Sequence, residues 1–87
     1  MNEDKQLINY YFQLLHTMGY IYTKTSMGFE LNRTDKKFSI IQIGDSIYDV
    51  FYNKKERTTY QLVDRLLGQI SMIKCLQWIL LRAKERN

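Results

Sequence analysis

Apolar residues along this chain recur with two periods, and the period changes near residue 20. In the first stretch Leu7, Tyr11, Leu14, Leu15 and Met18 return at helical spacing with Ile8 on the border, while Lys5, Asn9, Gln13 and His16 fall opposite. This predicts a helix over about residues 3–18. Asn2 is its N-cap, Glu3 and Asp4 sit at the positive end of its dipole, and Gly19 takes the left-handed position that ends it. From Tyr20 the period falls to two, and strands are predicted at about 20–25, 29–33, 38–43 and 46–52. Residues 26–28 form a loop in which Gly28 supplies a positive φ, residues 34–37 form a polar turn, and Gly44-Asp45 makes a two-residue hairpin loop. That loop pairs Ile43 with Ser46, Ile41 with Tyr48 and Phe38 with Phe51, which puts apolar side chains on both faces of the last hairpin.

After Thr58 the helical period returns. Leu62, Val63, Leu66, Leu67, Ile70, Ile73 and Leu80 lie on one stripe, and Thr58 with Gln61 fits a capping box, so one helix is predicted over about 59–85. Such a helix is roughly 40 Å long, about twice the span of a six-residue strand. Its second half therefore overhangs the sheet. Met72, Cys75, Leu76, Trp78 and Ile79, on the back and flank of that half, are the predicted protein interface, to a second copy of the chain or to another protein. The competing outcome is a break at Gly68 that folds the helix back on its own domain.

The fold class is α+β: an N-terminal helix, an antiparallel meander of three or four strands and a long C-terminal helix, with both helices on one sheet face. At 87 residues and 45% hydrophobic content there is room for a single domain, residues 1–87, with one modest core. One cysteine, Cys75, excludes an internal disulfide, and with no signal peptide it points to the cytoplasm. No apolar run is long enough to span a membrane.

A formal net charge of +4 favours an anionic partner. The meander gathers Arg33, Lys36, Lys37, Lys54, Lys55 and Arg57 at one end of the sheet, where they are the predicted contacts for a phosphate backbone or an acidic surface. The order of helix, three-stranded meander and helix resembles that of double-stranded RNA-binding domains. In that family a lysine cluster within a Gly- and Ala-containing motif precedes the last helix. Asn53-Lys54-Lys55-Glu56-Arg57 supplies the cations without the glycine or alanine, so the resemblance is one of topology and implies no membership.

Enzyme chemistry is not expected. The four glycines, Gly19, Gly28, Gly44 and Gly68, are too scattered for a phosphate loop. His16 and Cys75 cannot make a zinc site, and Asp45 and Asp49 have no further acidic cluster to complete a cation cage. No cofactor, metal or small-molecule substrate is expected. The function predicted is a small non-enzymatic protein-binding module of adaptor or inhibitor type, self-associating through the last helix. The alternative is nucleic-acid binding through the basic loop cluster.

Overall fold

The computed structural model describes residues 2–85, with side chains from Asp4 onward. The elements follow in the order α1 (Asn2–Thr17), β1 (Ile21–Lys24), β2 (Gly28–Asn32), β3 (Lys36–Gly44), β4 (Ile47–Glu56), β5 (Thr59–Gln69) and α2 (Met72–Ala83). The strands form one antiparallel meander in sequential order. The α+β class and the placing of both helices on one face agree with the sequence. The strand count does not, because there are five.

The fifth strand comes out of the predicted C-terminal helix. Residues 59–69 are extended and pair with β4 from Glu56↔Thr59 to Tyr48↔Gln69. Without them β4 would end the sheet with a row of unpaired backbone groups, and β5 satisfies that row. The turn between them places Arg57 at φ +62°. Helix begins only at Ser71, not Thr58: Ser71 is extended (φ −138°, ψ 124°) and its hydroxyl accepts from the Lys74 amide at 3.4 Å. The chain does turn near Gly68 (φ +70°), but it joins a strand to a helix there and does not fold one helix back on itself.

α1 ends where expected. Gly19 has φ +94°, its amide donates to the His16 carbonyl at 2.9 Å, and the Tyr20 amide donates to the Leu15 carbonyl at 3.0 Å. The cap role of Asn2 and the side chain of Glu3 lie outside the described residues. Along the predicted stripe Leu15 is fully buried, while Ile8, Tyr11, Leu14 and Met18 are partly buried against the core. Leu7 stays exposed, and Phe12, which the stripe omitted, packs edge-on against Tyr22 and Phe29 at 5.8 and 5.5 Å.

The β3–β4 register is one residue away from the predicted one. The loop is Asp45-Ser46, with Ser46 at φ +53° and a register shift between Gln42 and Gly44. Phe38 therefore faces Tyr52 and Ile40 faces Val50, while Phe51 moves to the opposite face. A one-residue slip exchanges the two faces of a strand, so the sorting of apolar residues predicted for this hairpin is corrected throughout. The covered face holds Phe29, Leu31, Phe38, Ile40, Val50 and Tyr52, with Phe38 and Tyr52 stacked at 4.7 Å. Gly28 does not have the predicted positive φ. Glycine is required there because a Cβ would lie 2.0 Å from the Ile40 carbonyl oxygen.

Candidate functional site

The predicted interface on the last helix is largely core. Cys75, Leu76 and Ile79 are 0% exposed, and Met72 and Trp78 are half-buried against the same cluster. The overhang that was to expose them does not exist. Twelve residues make a helix of about 18 Å, shorter than the roughly 30 Å of β3, so the sheet can cover its whole length. Trp78 is further sheltered by the Arg82 guanidinium, 3.7 Å from its ring. Burial pushes the Cys75 thiol above its ordinary pKa, which leaves it a small apolar core residue.

The six predicted anion contacts do collect at one end. The tip of the β4–β5 hairpin lies beside the β2–β3 turn, joined by a bond from the Lys55 amide to the Asp35 carbonyl at 2.8 Å. Two of the cations serve the fold instead. Arg33 donates from Nε and Nη2 to the Asp35 carboxylate at 2.6 and 2.9 Å and from Nη1 to the Met18 carbonyl at 3.1 Å, and it lies 4.7 Å from the Tyr20 ring centre. The Arg33 guanidinium holds the Asp35 carboxyl below the usual carboxylate range.

Lys36 is fully buried. Its Nζ donates to the Arg82 carbonyl at 3.1 Å and to the Glu85 carbonyl, two acceptors at the C-terminal end of α2 where a cation is favourable. Burial lowers the ammonium pKa of Lys36 from its ordinary value. An internal charge of this kind cannot greet a ligand. Lys37 lies 3.8 Å from Glu30 and 5.5 Å from the Tyr60 ring, and Lys54 lies 5.9 Å from the Tyr52 ring. Lys55 and Arg57 are exposed.

What the structure leaves open is different from what the sequence nominated. β5 is an edge strand of 11 residues, and no residue in it is buried. Leu62, Val63 and Leu67 are about half exposed, and Ile70 just beyond is 75% exposed. A second open feature is a groove of about 830 Å³ between α1 and the β1–β2 hairpin, walled by Ile8, Phe12, Tyr22, Phe29 and Met72, with His16 among its lining residues. A sequence signal for β5 existed in Thr58, Thr59, Tyr60 and Val63, residues that favour strands, and in Gly68 and Ser71, which punctuate elements. The groove depends on Phe12 meeting a hairpin distant in sequence, and no local pattern shows that.

Among the described residues no helix is long and apolar enough to cross a membrane, and no group of His, Cys, Asp and Glu could hold a metal ion. No family model, curated protein or solved structure matches the chain.

Proposed function

We propose that this chain is a small non-enzymatic protein-binding module whose contact is the free edge of β5. The observation that carries the reading is an 11-residue outer strand with nothing buried and with Leu62, Val63 and Leu67 open to solvent. Its outward backbone groups can accept another strand, and edges so long and apolar are sites of strand addition. Antiparallel edges are their own complement about a two-fold axis, so a second copy of the chain is the first partner in this reading.

Light scattering across a range of concentrations tests it. Dimer is expected for the native sequence and monomer for Leu62→Lys combined with Leu67→Lys, with the circular dichroism of the two proteins alike. A native chain that stays monomeric at high micromolar concentration and protects none of the outward β5 amides from exchange would remove this reading. The alternative of nucleic-acid binding through the loop cluster is weakened, because Arg33 and Lys36 are engaged within the fold.

A further inference from the structure

Both helices pack on one face of the sheet, and the register identifies what the opposite face carries. Across β2 to β5 one row reads Glu30, Ser39, Phe51, Arg65, and the next reads Asn32, Lys37, Asn53, Leu62. Beyond these, toward the β4–β5 turn, Lys55 stands opposite Tyr60. The alternating burial of β3 and β4 places all of these on the side away from the core.

We infer that this uncovered face binds single-stranded nucleic acid, with Phe51 and Tyr60 stacking bases and Lys37, Lys55 and Arg65 meeting phosphates. Charge decides the half of the face involved. Toward the β4–β5 turn those three cations stand, among the described residues, against Glu30 alone, which lies 3.8 Å from Lys37. Asp49 lies in the other half, and its carboxylate accepts from the Gly68 amide at 2.7 Å. The aromatic groups are interleaved with the cations, and the Tyr60 ring is held in place by its hydroxyl, which donates to the Arg33 carbonyl at 3.2 Å. Asn53 sits between them with amide donors and an acceptor for base edges, while the Asn32 amide donates to the Glu30 carboxylate at 3.2 Å.

A strand with its bases splayed can use every one of these groups, whereas a duplex offers its phosphates and hides its base faces. The centre of this face, with Lys37, Asn53 and Arg65, is more charged than the core of a protein interface. The inference concerns side chains on the face of the sheet, to which β5 contributes Tyr60 and Arg65, and not the outward backbone of that strand.

Fluorescence anisotropy with a labelled oligothymidylate and with a duplex of equal length tests it. The single strand should bind more tightly than the duplex, with log K falling against log salt by about 0.7 for each phosphate neutralised. Lys55→Glu, at an exposed position, should flatten that slope. Tyr60→Ala should weaken the single strand roughly 5- to 100-fold with the slope nearly kept. Two results would overturn the proposal. One is no binding of either probe between about 50 and 200 mM salt. The other is equal binding of both probes that Tyr60→Ala leaves unchanged, which marks charge adhesion without stacking. Tight binding of an acidic polypeptide with no retention of the oligothymidylate would likewise assign the face to a protein.

Discussion

Strand β5 and helix α2 are nearly the same length, 11 and 12 residues, and both carry several large aliphatic side chains, α2 more of them. Their fates are opposite. α2 buries Cys75, Leu76, Ile79, Leu80 and Ala83, while β5 buries nothing. Apolar content is a property of the segment, but burial belongs to its position in the fold. α2 lies across the sheet with α1 beside it, so neighbours surround one side of it. β5 closes the sheet laterally, where backbone pairing supplies contact along one edge and the side chains project past the last neighbour. An apolar stretch thus becomes a core element in one case and a candidate contact in the other.

The sharpest way to break that comparison is to truncate a side chain in each segment. Ile79→Ala removes fully buried methyl groups and should cost about 2–5 kcal/mol in urea unfolding. If Ile79→Ala cost no more than a surface change, the assignment of α2 to the core would fall.

Lys36→Met comes next. It keeps the volume of the stem but removes the donor that meets the Arg82 and Glu85 carbonyls, leaving acceptors at the end of α2 without their partner. A loss of about 1–3 kcal/mol is expected, with earlier hydrogen exchange confined to the last turn of α2. A stabilised Lys36→Met protein would mean that the buried charge costs more than its hydrogen bonds return.

Alkaline titration probes the same core from within. Burial pushes the Tyr20 and Tyr52 hydroxyls up to about 12 from 10.0. Since the folded pKa is the higher, their contribution to stability is complete below pH 10 and is lost as the pH rises from about 10 through about 12. Ultraviolet absorbance should show two of the seven tyrosines ionising last, together with the loss of near-ultraviolet circular dichroism. Ionisation of all seven in one step near pH 10, with the fold intact, would contradict the burial.

The smallest effect belongs to the edge. Leu62→Ala should change the stability of the monomer by less than about 0.5 kcal/mol, because the side chain is 55% exposed. A much larger loss would place Leu62 in a contact that the isolated chain does not make.

Much of this arrangement was legible in advance. The helix from Leu7 to Met18 and its end at Gly19 follow from spacing and from one residue suited to positive φ, both local properties. The first four strands follow from the shift to a period of two, and their turns fall within a residue or two of the predicted positions. The candidate sites were less legible, for three separate reasons. The one-residue shift around Ser46 moved Phe51 onto the open face. Lys36 looks like any turn lysine until the end of α2, 46 residues away at Arg82, comes to meet it. Cys75, Leu76 and Ile79 were read as surplus only because the helix was taken to be twice its length.

The sequence by itself determined the α+β class, the first helix with its end at Gly19 and the first four strands of the meander, since period and turns are written within a few residues of where they act. Tertiary structure decided the state of residues 59–69. Their apolar positions fit a helical stripe about as well as a strand, so local preference is nearly balanced. The edge of β4 tipped that balance: it gives residues 59–69 a backbone ladder along nearly their whole length and sets Leu66 opposite the buried Val50 at the core.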